Sequence, residues 1–281
     1  MDEATLERHL HLTMTLIGGF MGGYAILNRH DVFGSAQTGN MISLAMDAVG
    51  HPDEQWFFRV LALVIYIVSM AATVVISHKI SKINQKRLSI LIDGAVLLIL
   101  GFYPKEMNPF VALFPIFFAT AFQWCSFKGA DGFASSSIFS TNNLRQCVTG
   151  FTEYLCSKDT ESLRRGIYFG KVLICFYGGA AIAFLSCKLL DLKGSWIAIL
   201  PTVAAFVMCN AEYVLYDVKK RISLRHLPEG ILFTVLIHKS PSGSLLFMLH
   251  HLLLLSHHLR CCLLRLYPDL HLLRSCFQLL R

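Results

Sequence analysis

Charged residues are scarce in this chain. Asp, Glu, Lys and Arg make up 15% of its 281 residues, against ~25% in a typical soluble domain. The shortage excludes an ordinary water-soluble globular protein, and 54% hydrophobic residues with a mean hydropathy of +0.54 point the same way. Nine cysteines are present, yet no two form a C-x-x-C pair and no zinc spacing occurs. Cys125, Cys147, Cys156, Cys175, Cys187 and Cys209 lie in or beside apolar runs, where a reduced thiol behaves as a small hydrophobe. No structural disulfide set is expected. A basic head is also lacking: Asp2, Glu3 and Glu7 outweigh Arg8, whereas a cleavable signal opens on a basic region. Membrane insertion is therefore expected to rely on the first apolar run itself.

Other signatures are missing as well. No nucleophile–base triad pattern, two-metal carboxylate set or strand-to-helix phosphate loop ending in Lys-Ser/Thr occurs. His9 and His11 are two apart and so do not share a helical face, and His30 and Asp31 fall in a loop. Nothing in the sequence asks for an enzyme, a metal or a cofactor. The net charge of +7 does not imply a nucleic-acid partner, because residues 222–281 contribute +4 of it and positive loops account for the remaining +3.

What the chain does have is apolar runs long enough to cross ~30 Å of hydrocarbon. They lie at about 10–28, 56–77, 88–103, 110–127, 166–187 and 195–216, which gives six expected spans. The loop 78–89 carries Lys79, Lys82, Lys86 and Arg87 without an acid, and Lys219, Lys220, Arg221 and Arg225 follow the last run. The positive-inside bias puts both in the cytoplasm, with the first terminus beside them. The loop 156–166 leans the same way, while 47–55, with Asp47, Asp53 and Glu54, fits outside. Lys188 and Lys193 count mildly against this orientation. Trp56, Trp196 and Tyr103 sit near run ends, as interfacial anchors do.

Two polar stretches echo each other. Val32-Phe33-Gly34-Ser35-Ala36-Gln37-Thr38-Gly39-Asn40-Met41 and Ser137-Ile138-Phe139-Ser140-Thr141-Asn142-Asn143-Leu144-Arg145-Gln146 both set small residues and a Thr-x-Asn step before an apolar residue. Asn142, Asn143, Arg145, Gln146 and Glu153 would be costly facing lipid. A full span over about 133–155 would also place the four-cation loop outside. Both stretches, 31–49 and 133–155, are therefore read as broken or re-entrant elements. Each half then has three spans, an odd number, so the halves are expected to be inserted upside down relative to each other, as in many transporters.

The run Gly18-Gly19-Phe20-Met21-Gly22-Gly23-Tyr24, then Val32-Phe33 and Ala36-Gln37-Thr38-Gly39-Asn40, resembles the YoaK family of small bacterial integral membrane proteins. Gln123-Trp124 and Ser140-Thr141-Asn142-Asn143-Leu144-Arg145-Gln146 carry the likeness into the second half, over roughly residues 8–220. The resemblance implies about six membrane helices and a bacterial inner-membrane location; it supplies no substrate. Many members carry an acid just after the glycine pair, where this chain has Gly22 and Gly23. A coupling mechanism that used that acid does not transfer here.

The expected solute site is Asn40, Asn143 and Arg145, supported by Thr38, Thr141 and Gln37. Amides offer donors and acceptors at one depth, Arg suits carboxylate or phosphate, and two half-helices would aim their first N–H groups into a shared cavity. The bland alternative is that the amides cap the half-helices, and that Arg145 pairs with Glu153 or Asp131. Gly18, Gly19, Gly22, Gly23, Gly178 and Gly179 read as close helix packing.

Residues 222–281 differ from the rest, with 20 Leu, seven of the 12 His and two acids. The favoured reading is a tail translated out of frame; the other is an amphipathic extension. The expectation from sequence is therefore an all-α polytopic membrane protein with repeats over 1–105 and 106–221 and a tail over 222–281. It would be a transporter or facilitator of a small polar or anionic solute in the inner membrane, with both termini cytoplasmic. The alternative is a non-transporting scaffold or accessory subunit. Its partners are the lipid bilayer and the solute, and assembly as an oligomer is compatible with the pattern.

Overall fold

The computed structural model describes residues 3–28, 37–50, 54–80 and 83–225, with side chains placed as far as 213. The first polar stretch is thus described only from Gln37 onward, and His30, Asp31 and the tail from 226 lie outside the described residues. By its contacts the chain divides into Met1–Val218 and Lys219–Arg281, and of the second unit only the end of a helix is described.

Eight α-helices occur among the described residues: α1 Glu3–Asn28, α2 Gln37–Val49, α3 Trp56–Lys79, α4 Gln85–Leu100, α5 Pro109–Ser126, α6 Thr141–Ser157, α7 Thr160–Leu190 and α8 Ile199–Arg225. A 3-10 segment, Asp191–Ala198, joins the last two. Four apolar helical segments are long enough to cross a membrane: α1, α3, α5 and the stretch Thr160–Tyr213 that holds α7, the 3-10 segment and most of α8. The outward faces of these helices carry side chains such as Val68, Val75, Ile174 and Leu200, which suit a lipid surface.

Three details differ from the sequence expectation. The chain is not purely helical, since Gly129–Ala130 (β1) pairs antiparallel with Phe133–Ala134 (β2) across a turn in which Asp131 and Gly132 both have positive φ. The basic loop expected over 156–166 shrinks to two residues because Asp159 caps α7 with bonds from the N–H groups of Glu161 and Ser162. The run at 195–216 begins as a 3-10 turn, in which Gly194 sits so close to Ser186 that a Cβ would fall 2.7 Å from its carbonyl carbon.

Glycines set the helix spacing. A Cβ on Gly19 would lie 1.9 Å from the Phe176 carbonyl oxygen, and one on Gly179 2.0 Å from that of Leu16. Gly23 faces Ala180 at 3.0 Å, and Gly22 is buried in the same helix. Among the described residues Gly178 has nothing within 4 Å on its Cβ side. These contacts run in step along the chain, from Leu12 against the Tyr168–Val172 cluster to Asn28 Nδ2 donating to Cys187 Sγ at 3.2 Å. So α1 and α7 are parallel.

The same argument orients the rest. Arg59 stacks over the Phe110 ring at 5.7 Å and Ser69 Oγ donates to the Phe118 carbonyl at 2.7 Å, which makes α3 and α5 parallel. Lys86 meets Glu7 at 3.6 Å and the Tyr24 hydroxyl donates to the Leu100 carbonyl at 3.4 Å, so α4 runs with α1. Glu212, midway along α8, pairs with the same Lys86 at 2.7 Å, whereas Gly94 faces Thr202, near the start of α8, at 3.3 Å, so α8 runs against α4. Thus α1 packs on α7 and α5 on α3, each as a parallel pair.

Candidate functional site

Hydrogen bonds hold the loop ahead of α6, and Ser135, Ser136, Ser137 and Asn143 are spent on that task. Asn143, 1% exposed, donates from Nδ2 to the carbonyls of Ser136 and Phe139, both at 2.8 Å, and accepts from the Ser136 N–H at 3.3 Å. Its amide has therefore closed a ring with its own loop. Gln123 Nε2 bridges the Met14 carbonyl at 2.7 Å and Ser137 Oγ at 3.0 Å. A Cβ at Gly18 would be 2.2 Å from the Ser137 carbonyl oxygen, so only glycine lets the loop lie against α1 at this level. Nearer the α1 start, Ser135 Oγ sits 2.7 Å from both His11 Nε2 and the Tyr168 hydroxyl, which also accepts from the Ala130 N–H at 2.9 Å.

That loop delivers Phe139, Ser140 and the start of α6 into a cavity of about 940 Å³. Gln37, Thr38 and Met41 of α2 line the same cavity, together with Leu63, Tyr66, Ile67 and Met70 of α3 and Trp124 of α5. The starts of the two short helices thus share one space. Ser140 stands at the N-cap of α6 but makes no capping bond with its side chain. The first N–H groups of that helix are left without a side-chain cap, and such groups carry the positive end of the helix dipole. Gln37 is 6% exposed; its Oε1 accepts from Asn40 Nδ2 at 3.2 Å, and its Nε2 has no hydrogen-bond partner among the described residues.

The six residues read from sequence therefore divide. Gln37, Thr38 and Thr141 line the cavity, as do Ser140 and Asn142, which the sequence reading left outside the site set. Asn40 stands behind Gln37, and Asn143 is tied into the loop. Arg145 is exposed and donates from Nη2 to Asn142 Oδ1 at 2.9 Å. Its sequence-expected partners are engaged elsewhere: Glu153 pairs with Arg165, and Asp131 with Arg8 at 3.4 Å.

Two buried groups had no clear signal in the sequence. Asp93 of α4 is fully buried with neither carboxylate oxygen partnered among the described residues, and Ser89, one turn earlier, is likewise buried with its hydroxyl unpaired there. Inside an apolar run a lone Asp is easily passed over, although an ionisable residue at membrane depth is itself a reason to look. The sequence reading weighs His11 only as a metal ligand with His9, and only the fold brings Ser135 and Tyr168 to it. At the exposed cap of α7, the Ser162 hydroxyl, followed by the N–H groups of Ser162 and Glu161, holds the Asp159 carboxyl below the usual carboxylate range. Among the described residues no group of three or more His, Cys, Asp or Glu gathers to hold a metal.

A family model described as a protein of unknown function (DUF1275) matches residues 10–209. The chain belongs to that family. The match takes in every helix that builds the cavity, and the likeness to YoaK-type proteins is consistent with it. No curated protein and no solved structure matches the chain.

Proposed function

We propose that this DUF1275 member is a six-span transporter or facilitator of a small polar or anionic solute, built from two inverted repeats and inserted with both termini in the cytoplasm. Several observations support the inverted arrangement. The order long helix, short polar helix, long helix, helix occurs twice, as α1–α4 and as α5–α8. The fourth helices of the two sets, α4 and α8, run in opposite directions, as they would if the two halves entered from opposite ends. The basic residues Lys79, Lys86 and Arg87 fall at the end where α1 begins, which fits the cytoplasmic side. Irregular backbone at membrane depth is tolerated where it is buried in protein or lines a wet cavity.

The observation that carries the functional reading is the shared cavity. Polar groups from both halves line one space beside Trp124 and the apolar face of α3, as expected where a solute is held between repeats. The test uses single cysteines at positions 38, 142 and 14 in a cysteine-free full-length chain, with a membrane-impermeant maleimide applied to either side. Positions 38 and 142 are expected to react, and position 14, in the dry core, to stay silent. Silence at both 38 and 142 from either side would make the meeting point a dry contact and favour the scaffold reading. A cysteine at 83 that labels only from outside would reverse the proposed insertion.

A further inference from the structure

We propose that the cavity between α2 and α6 binds an organic monocarboxylate with an apolar body, its carboxylate at the two helix starts and its body against α3. The inference deepens the transport reading and rests on the same cavity. The polar end of that cavity is biased toward donors. Gln37 Oε1 is taken by Asn40, so the amide end left to the cavity is Nε2, a donor buried without a partner. Asn142 Oδ1 is taken by Arg145, so its amide nitrogen is the end available to a ligand. In this sense Arg145 is a positioning residue that fixes which way Asn142 presents. The uncapped N–H groups at the start of α6 and those of the first turn of α2 are donors too.

Charge narrows the ligand further. Among the described residues the lining, with Gln37, Thr38, Met41, Ser140, Thr141 and Asn142 on one side and Leu63, Tyr66, Ile67, Met70 and Trp124 on the other, contains no Lys, Arg, Asp or Glu. Each helix start is equivalent to roughly half a positive charge, so two of them balance one negative charge and not two. A dianion such as phosphate would be under-neutralised. It would also lie against Leu63, Ile67, Met70 and Phe139 with its hydration shell stripped and nothing in exchange. An apolar or aromatic body fits those side chains, and Trp124 and Phe139, edge to face at 4.9 Å, offer ring surface.

The experiment uses the full chain in lipid nanodiscs and follows tryptophan emission, with Trp124→Phe as the control that assigns the signal to the cavity. The probes are benzoate, benzamide (the same body without the charge) and inorganic phosphate (charge without a body). Benzoate should give a saturable change that Trp124→Phe abolishes. Benzamide should bind about tenfold more weakly, in line with the greater strength of hydrogen bonds to charged groups, and phosphate should be silent. Gln37→Leu should weaken benzoate about tenfold by removing one charge-assisted bond. If that variant does not elute as folded protein, Asn142→Leu carries the same expectation. Equal binding of benzamide, equal binding of phosphate, or full benzoate affinity in the folded variant would each overturn the proposal. Because binding is read without transport, a failure here leaves the thiol-labelling result of the broader reading standing.

Discussion

Gly19→Ala and Gly178→Ala are the same chemical change on paired helices, and they should act in opposite directions. At Gly19 the added methyl would sit 1.9 Å from the Phe176 carbonyl oxygen, about 1.5 Å inside ordinary contact. The obstacle is backbone, so no side chain can rotate away. The helices must part instead, and that strains the seam holding Asn28 to Cys187 and His11 to Ser135. Overpacking of this kind costs about 1–3 kcal/mol, and the rigid obstacle favours the upper end. At Gly178 the methyl meets nothing within 4 Å. There the substitution only removes glycine's conformational freedom, worth up to ~1 kcal/mol in favour of the folded helix. The assay is unfolding of the purified protein in mixed micelles, read by loss of helical signal against denaturing detergent. A lowered midpoint for Gly19→Ala with an unchanged or raised one for Gly178→Ala is the expected pair. Equal midpoints for the two variants would refute the claim that backbone contact between α1 and α7 sets the fold's spacing.

Asn143→Leu removes the closing bonds of the 136–139 loop, and at about 1 kcal/mol each plus the stranded carbonyls it should cost roughly 3–5 kcal/mol; a smaller loss in the same unfolding assay would show that the loop is held by packing. Asp93→Leu should raise stability by about 1–3 kcal/mol, because a buried carboxyl without a partner is a standing cost, and a destabilised variant would reveal a partner for it. For Asp159 the folded carboxyl titrates below its unfolded value of ~3.9. The cap therefore contributes stability above about pH 4 and loses it as pH falls through the lower folded value. The midpoint gap between the parent chain and Asp159→Ala should be full at neutral pH and close on acidification, and a gap that widened in acid would contradict the sign.

The membrane class, the positions of the long apolar helices and the polar loop ahead of α6 were legible in the sequence because each rests on a local signal: apolar run length, or too many amides for lipid. The glycine pairs were legible as packing for the same reason, although only the structure separates Gly19, wedged on Phe176, from Gly178, which faces open space. What could not be read was the division of labour among neighbours. Asn142 and Asn143 are adjacent and chemically identical, yet helix geometry turns one into the cavity and the other back to its loop. Arg145 looked like an anion ligand by residue type, but three positions along a helix it reaches Asn142 and not the cavity. The chain of bonds from His11 through Ser135 to Tyr168 joins residues 124 and 33 positions apart, a distance at which sequence pattern carries no information without the fold.

The two halves share an order of elements but are fastened unequally, and that asymmetry bears on how a site can exist here. The α6 side is locked by Asn143, Gln123, Ser135 and the glycine contact at Gly18, so its helix start is held in place whether or not anything is bound. The α2 side packs chiefly on α3, has Gln37 as its one buried residue, and leaves that residue's donor unpaired. A buried donor without a partner costs about 1–3 kcal/mol. A purely structural joint would be expected to remove that cost, as Asn143 does for its own loop. A binding joint keeps it, because the same free energy is recovered when a ligand accepts the bond. The unsatisfied amide at Gln37, set opposite an element held in place by Asn143 and Gln123, is therefore the feature that most separates a solute site from a dry staple.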